Sequence, residues 1–202
     1  MKRTWSLSVA VWALMFPVLG GFAPKAFGIA STPSTEVIVS VPDQVLALVD
    51  RGRLIARYPV STSKFGIGDS AGSYRTPLGT LFVSAKFGDK LPPGAVIKNR
   101  VPTGEVVTAN ASGRDSILAR VIWLRGMEAQ NRSARDRCIY IHGTPEERRI
   151  GKPASFGCIR MRSRDVIALY NSVHIGMHVV ITRKQISDFI QEDESSLFAR
   201  SD

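Results

Sequence analysis

The chain has 202 residues and a net charge of +10, which is enough for one domain with a sizeable hydrophobic core. An excess of positive charge suits an anionic partner, such as nucleic acid, a membrane surface or an acidic polymer. The basic residues are scattered and no nucleic-acid-binding motif accompanies them, so no nucleic acid is expected as a partner. The remaining alternatives are a solvated basic surface and weak attraction to the carboxylates of an envelope polymer.

Residues 1–30 have the pattern of a secretory signal peptide. Lys2 and Arg3 precede an apolar stretch at residues 9–19, and small residues near position 28 offer a cleavage site. Pro17 interrupts the apolar stretch before it reaches the ~20 residues that a membrane span needs. We therefore expect export to the periplasm or cell envelope, with no stable membrane span after processing. An uncleaved anchor is the alternative.

Residues 35–183 are predicted to form a single, mainly β domain. Period-2 alternation and short apolar runs recur between turn signals such as Pro42-Asp43. The first three strands are expected to pair in sequence as a meander. The predicted strands are residues 36–41, 45–49, 54–60, 77–83, 117–124, 137–141 and 177–182.

Two long segments separate these strands. Residues 61–76 are polar and glycine-rich, but a strand rather than a helix follows them, which favours a hairpin or crossover loop over a phosphate-binding loop. Residues 86–116 contain several prolines and glycines, so we expect an extended excursion with little regular structure. Long loops in compact domains are often functional, and this one is expected to overhang the active site.

One helix is predicted after residue 162. Ser163 can cap it, Asp165 lies in its first turn, and apolar residues follow at helical spacing until Gly176. Residues 184–202 carry acids and serines with few apolar anchors. They are expected to form a peripheral helix or a flexible tail.

Cys138 and Cys158 are the two cysteines, and export makes a disulfide between them worth testing. If residues 138–142 are one strand, four steps of ~3.3 Å place Cys138 roughly 13 Å from His142. A disulfide needs Cα atoms within about 7 Å, so a Cys158 placed beside His142 should not reach Cys138. Both cysteines are therefore predicted to be free thiols.

The candidate catalytic pair is Cys158 and His142. A thiol is a weak nucleophile at neutral pH because its free pKa is ~8.5, and an imidazole can take its proton and later return it to a leaving group. The alternative for Cys158 is an inert core thiol. Against that alternative, Ser155 and Gly157 are poor core residues, and Arg160 would be expensive to bury unpaired.

The other two histidines suggest a different chemistry at first sight. His174 and His178 have the i, i+4 spacing of a metal-binding pair, but Gly176 between them breaks the helix that would align them. No metal site is predicted, and His142 is the plausible base. No acidic residue near it in sequence is an obvious orienting partner.

Other residues around the pair fit an acyl-transfer site. The backbone N–H groups of Gly157 and Cys158 are candidate donors to an oxyanion, and glycine allows close approach of the substrate. Arg160 offers a planar fork for a carboxylate, with a surface ion pair as the alternative.

These residues carry a family resemblance. The runs Tyr140-Ile141-His142-Gly143-Thr144 and Ser155-Phe156-Gly157-Cys158-Ile159-Arg160 resemble the signature H-G-T … S-x-G-C-x-R of the L,D-transpeptidases with a YkuD-type catalytic domain. The resemblance covers about residues 36–183. It implies a β-sandwich or barrel domain with one helix following the catalytic cysteine.

The resemblance also implies roles. Cys158 would be the nucleophile and His142 the base, oriented by the backbone carbonyl of Gly143, while Arg160 and Ser155 would contact the substrate peptide. Many members have a histidine immediately before the Gly-Cys pair, where this chain has Phe156. Phenylalanine cannot transfer a proton, so Phe156 is expected to be a packing or stacking wall that affects substrate preference.

The implied reaction is peptidoglycan cross-linking. Cys158 would attack the third residue of a tetrapeptide stem, release the terminal D-alanine and pass the acyl group to the side-chain amine of another stem, giving a 3→3 cross-link. Neither a metal nor an organic cofactor would be needed. The alternatives are an L,D-carboxypeptidase that uses water as acceptor, transfer to a protein lysine, and a non-catalytic cell-wall-binding domain.

Overall fold

The computed structural model describes residues 35–111, 113 and 115–191. The predicted signal peptide and residues 192–202 of the predicted tail lie outside this part of the chain. Within it, the fold is mainly β with one α-helix, as predicted. The strands are β1 Thr35–Ser40, β2 Val45–Asp50, β3 Arg53–Pro59, β4 Gly79–Phe87, β5 Ala95–Lys98, β6 Val101–Val106, β7 Ile117–Gly126, β8 Tyr140–Gly143, β9 Ile159–Met161 and β10 His178–Thr182, and the helix is α1 Ser163–Ser172.

The strands form one mixed sheet in the order β3-β2-β1-β10-β4-β7-β5-β6, with β8 paired to β7 and β9 paired to β8. β1 to β3 form the predicted antiparallel meander. β1 and β10 pair in parallel, so the last strand joins the first. The apolar strands and α1 bury one large core, to which β1, β2, β4, β7, β8, β9, β10 and α1 all contribute.

β7 is the strand on which the site is built. It pairs with β4 and with β8, and its register shifts between Leu118 and Val121. Ala119 within this shift has φ of 62°, in the left-handed region. The extra residues form a bulge, which bends a strand locally and is a common device next to active sites. β8, with His142, lies against this bent segment.

The helix differs from its prediction at both ends. Its N-cap is Arg162 rather than Ser163, because the Ser163 N–H donates to the Glu147 carboxylate at 3.0 Å and Ser163 is already helical. It ends at Ser172, four residues before Gly176, since Val173 turns to extended backbone and packs into the core. Asp165 lies in the first turn, as predicted.

The expectation of little regular structure in residues 86–116 is wrong, because β5 and β6 form a hairpin there. Asn99 and Arg100 make its tight turn with φ of 51° and 67°. Pro102 is tolerated because β6 is an exposed edge strand. The hairpin lies beside the site, since Ile97 of β5 packs in one apolar cluster with Tyr140 and Cys158.

After β10, the described residues pack against the meander of β1 to β3. Residues Ile186–Phe189 form a short 3₁₀ helix, and Ile186 packs on Ile38 and Val49. Among the residues that the structure describes, no helix is long and apolar enough to cross a membrane.

Candidate active site

The parallel pairing of β8 with β9 brings the two halves of the motif together. His142 is the register partner of Arg160, and Ile141 is the partner of Ile159. Ile141 and Ile159 point into the core, so the alternation of side chains places His142 and Arg160 on the opposite face. Cys158 directly precedes β9, and extending the alternation by one residue places its side chain on that face, roughly 8 Å from His142 between Cα atoms by strand geometry.

His142 is held as a neutral base. Its side chain is 5% exposed, and Nδ1 lies 2.8 Å from the carbonyl oxygen of Gly143. A carbonyl can only accept, so Nδ1 carries the proton and Nε2 is left as an acceptor. Burial, together with the smaller effect of the nearby Arg160 charge, lowers the pKa of His142 to about 4 against the opposing effect of the Gly143 hydrogen bond.

Cys158 is held as a neutral thiol. Its Sγ lies 3.4 Å from the backbone carbonyl of Cys138, and burial raises the pKa of the thiol to about 11. A backbone hydrogen bond at Tyr140 and the Arg160 charge act in the opposite direction but do not offset the burial. The resting pair is therefore a thiol and an imidazole, not a thiolate and an imidazolium.

Hydrogen bonds from within the loop and from Thr76 hold the loop before Cys158 in place. Ser155 is fully buried; its Oγ donates to the Cys158 carbonyl at 2.6 Å and accepts from the Gly157 N–H at 3.2 Å. Thr76 Oγ1 donates to the Gly157 carbonyl at 3.0 Å. Gly157 has φ of 119°, a conformation that favours glycine.

These hydrogen bonds bear on two predicted roles. The Gly157 N–H, a predicted oxyanion donor, already donates to Ser155 Oγ within the loop. The Ser155 hydroxyl, predicted to contact the substrate, is buried. Both roles stay predictions. What the structure gives Ser155 is a positioning contact with the Cys158 backbone.

Arg160 is buried with two acidic partners. Nη1 lies 2.8 Å from Glu146 and Nη2 lies 2.6 Å from Asp115, and the arginine side chain is 6% exposed. Of the two roles considered for Arg160, the structure contains the ion pair, and the arginine side chain in it is buried rather than at the surface. The predicted contact with a substrate carboxylate stays a prediction, because both arms of the guanidinium face these acids.

Cys138 lies closer to Cys158 than predicted. Both cysteines are free thiols, as predicted, but the stated reason is wrong because the Cys138 carbonyl contacts Cys158. Residues before Tyr140 form turns rather than a strand, and Cys138 itself has φ of 56°. A cysteine at a left-handed turn position gives no periodic signal in the sequence.

Phe156 lies at the surface, two residues before Cys158. It is 47% exposed and packs with Phe65 and Tyr74, at centroid distances of 5.7 and 5.9 Å. Lys64 Nζ lies 4.3 Å from its ring centroid. Nothing in the sequence indicated that Phe65 and Tyr74 pack with Phe156, because the glycine-rich segment 61–76 indicated only a loop.

The residues that the structure describes contain no group of three or more His, Cys, Asp or Glu side chains able to hold a metal ion. His174 follows the end of α1 and His178 begins β10, so the two do not share a helix.

Comparison with known proteins agrees with this geometry. The sequence model of the L,D-transpeptidase catalytic domain, YkuD, matches residues 34–181. The L,D-transpeptidase YkuD of Bacillus licheniformis is 28% identical over 147 residues, covering 73% of this chain and 65% of that protein. YqjB of Bacillus subtilis, also named an L,D-transpeptidase, is 41% identical over 61 residues, covering 30% of this chain and 32% of that protein. The chain thus spans less than two thirds of the length of either relative.

Solved structures give the same fold. The L,D-transpeptidase of Xylanimonas cellulosilytica superposes with a TM-score of 0.50 at 20% identity, covering 76% of this chain and 62% of that one. The sequence match over residues 34–181 covers most of the chain and includes both halves of the motif. The chain therefore belongs to the L,D-transpeptidase family with a YkuD-type catalytic domain.

Proposed function

We propose that the protein is a peptidoglycan L,D-transpeptidase that forms 3→3 cross-links through a Cys158 thioester. The observation that carries this proposal is the pairing of β8 with β9, which brings His142 next to the strand that follows Cys158, with Nδ1 of the imidazole bound to the Gly143 carbonyl. That bond leaves Nε2 as the acceptor for the thiol proton. Membership of the family supports the substrate class.

The first half of the reaction forms the acyl-enzyme. Nε2 of His142 takes the proton of the thiol as Sγ attacks the carbonyl carbon of the third stem residue. The backbone N–H of Cys158, together with that of Gly157 once it is released from Ser155, stabilises the oxyanion. The C–N bond to the terminal D-alanine then breaks, and His142 returns the proton to the leaving amine.

The second half transfers the acyl group. The side-chain amine of a second stem attacks the thioester, its proton passes to His142, and Cys158 regains its proton as the new amide forms. Two easier steps replace one direct amide exchange, so the chemistry requires no cofactor. With water as acceptor the same enzyme would be an L,D-carboxypeptidase, and no observation favours that alternative.

The burial of the pair gives the mechanism a pH signature. Since the pKa of His142 is about 4 and that of Cys158 about 11, neither group changes protonation between about pH 5 and 9. The acylation rate is expected to be nearly constant across this range. A preformed thiolate–imidazolium pair would instead lose activity on the alkaline side, as the imidazolium, whose pKa the thiolate raises above the ordinary ~6.5, loses its proton.

Intact-protein mass spectrometry with a disaccharide tetrapeptide tests the proposal, with the muropeptide products analysed in parallel. We expect an adduct that lacks D-alanine, lost in Cys158→Ala but kept in Cys138→Ala, and a dimeric product. The same adduct with only tripeptide as product would make the protein a carboxypeptidase. Folded protein that forms no adduct would contradict an enzymatic role and favour a wall-binding domain. Export to the periplasm or cell envelope is a separate proposal, tested by the mass of the secreted form.

A further inference from the structure

Three aromatic side chains form an exposed cluster next to the nucleophile. The rings of Phe65, Tyr74 and Phe156, which we call the aromatic patch, lie 5.7–6.0 Å apart between centroids. They are 45%, 57% and 47% exposed, respectively. A cluster of large apolar side chains left in solvent marks an interaction site more often than chance exposure does.

The backbone beneath the patch is fixed by hydrogen bonds. The Lys64 N–H donates to the Ser155 carbonyl at 3.1 Å, Ser63 Oγ donates to the Tyr74 carbonyl at 2.5 Å, and Thr76 donates to Gly157. These bonds tie the loop of residues 61–76 to the loop that carries Cys158. The rings are therefore presented on ordered backbone, which lowers the entropic cost of binding a ligand.

Tyr74 is held in a strained conformation. Its φ of 55° lies in the left-handed region, which is unusual for a bulky residue and more typical of glycine. Strain of this kind clusters at functional sites, where the surrounding structure maintains it. Here the strained residue is the most exposed ring of the patch.

A cation accompanies the rings. Lys64 Nζ lies 4.3 Å from the Phe156 centroid and 5.1 Å from that of Phe65. Among the described residues, no carboxylate lies within ion-pairing distance of Lys64. The patch thus combines apolar ring surface with a positive charge that can meet a carboxylate of the bound molecule, as expected of a site with few polar groups.

The patch is also at the right distance from Cys158. Phe156 precedes the nucleophile by two residues, which limits the distance between their Cα atoms to about 7.6 Å. In a stem peptide, the lactyl group and the backbone of three residues lie between the sugar and the third carbonyl carbon, a span of roughly 14 Å when extended and less when the stem is bent. A stem with that carbonyl at Cys158 can therefore place its sugar on the rings.

We propose that the aromatic patch is a subsite for the N-acetylated sugar that carries the stem peptide, with Lys64 facing a stem carboxylate. The C–H groups of a sugar ring carry partial positive charge and pack against the electron-rich faces of aromatic rings. The proposal rests on the proposed function. It adds that the enzyme selects stems attached to glycan over free peptides, with binding energy from outside the reacting centre.

The test compares two substrates, the disaccharide tetrapeptide and the free tetrapeptide. We expect kcat/KM for acyl-enzyme formation to favour the disaccharide form by about tenfold. Tyr74→Ala and Phe65→Ala should reduce this ratio to within about twofold, whereas Tyr74→Phe, which keeps the ring, should retain it. Ile175→Ala is the matched control, because Ile175 is 63% exposed but lies in the turn before β10. A ratio near one in the wild type, or one unchanged in both alanine variants, would overturn the subsite.

A binding measurement separates this proposal from the proposed function. The stem-free disaccharide of N-acetylglucosamine and N-acetylmuramic acid is titrated into Cys158→Ala and followed by NMR. Shifts confined to the aromatic patch and lost in Tyr74→Ala support the subsite even if no acyl-enzyme forms. The absence of shifts, or a patch that instead mediates concentration-dependent dimerisation abolished by Tyr74→Ala, contradicts it.

Discussion

His142 and Arg160 are register partners across β8 and β9, and each is 5% exposed, yet one is neutral and the other charged. Arg160 faces the carboxylates of Glu146 and Asp115, whereas the nearest partner of His142 is the uncharged Gly143 carbonyl. Burying a charge is costly unless the charge is paired. At equal depth, two carboxylates compensate the charge of the arginine, whereas the imidazole is buried in its neutral form.

This difference suits the chemistry proposed for the pair. A base that must accept a proton from Cys158 has to be deprotonated at rest, and a carboxylate beside it would oppose that state by raising its pKa. The Gly143 carbonyl fixes the tautomer without adding charge. Arg160, its register partner on β9, binds the two acids and compensates their charges.

The largest expected effect comes from removing the neutral base. His142→Gln keeps a polar side chain of similar size but cannot accept the thiol proton, so acyl-enzyme formation should fall by about 10³-fold. Stopped-time mass spectrometry of the D-alanine-deficient adduct measures the rate. His174→Gln, at an exposed position, is the matched control and should react at the wild-type rate. A loss of less than tenfold in His142→Gln would contradict its role as the base.

The second prediction concerns stability against pH. The pKa of His142 is about 4 in the folded protein and ~6.5 in the unfolded chain. Between these values only the unfolded chain binds the proton, so the free energy of unfolding falls as pH falls, by about 3 kcal/mol in total. Above pH 6.5 the His142 imidazole is neutral in both states and adds no pH dependence. Urea denaturation of wild type and His142→Gln from pH 7.5 to 4 measures the difference. Parallel curves for the two proteins would show that the imidazole is not buried in the neutral form.

The third prediction concerns the two ion pairs of Arg160. Arg160→Gln leaves Glu146 and Asp115 without their buried cation, and we expect a loss of about 2 kcal/mol of unfolding free energy because both acids are partly solvated. Arg51→Gln removes an exposed pair with Asp50 and should cost less than about 0.5 kcal/mol. Equal effects in chemical denaturation would mean that the Arg160 pair is no more than a surface ion pair.

The sequence predicted the elements whose signals are periodic. The meander, β4, β7, β10 and the helix were located within a few residues, because alternation and helical spacing follow from one buried face. The chemistry and the motif selected Cys158 and His142 as the candidate pair, and their catalytic roles stay predictions. The β5–β6 hairpin was missed because its prolines and glycines, which allow an exposed edge strand and a tight turn, are also the marks of irregular chain.

The surroundings of Cys158 were harder to predict, because they depend on contacts between distant segments. Cys138 reaches Cys158 through turns that have no periodic pattern, and Glu146 and Asp115 meet Arg160 from 14 and 45 residues away. Likewise, nothing in the glycine-rich loop showed that Thr76 would bond to Gly157, 81 residues later. Such contacts require the three-dimensional structure.

Thr76 offers the last and smallest test, since it joins that loop to the nucleophile. Its buried Oγ1 donates to the Gly157 carbonyl and accepts from the Ser63 N–H, both at 3.0 Å. Thr76→Val keeps the shape but leaves both groups without their partner, which should cost about 1 kcal/mol. Acylation should also slow by roughly threefold, because a looser Gly157 backbone positions Cys158 less precisely. Thr103→Val is the control for both measurements, because it removes a hydroxyl that donates to the Val96 carbonyl at 3.3 Å but belongs to an exposed residue of β6. If Thr76→Val lost stability without slowing acylation, the bond would stabilise the loop but would not position the nucleophile.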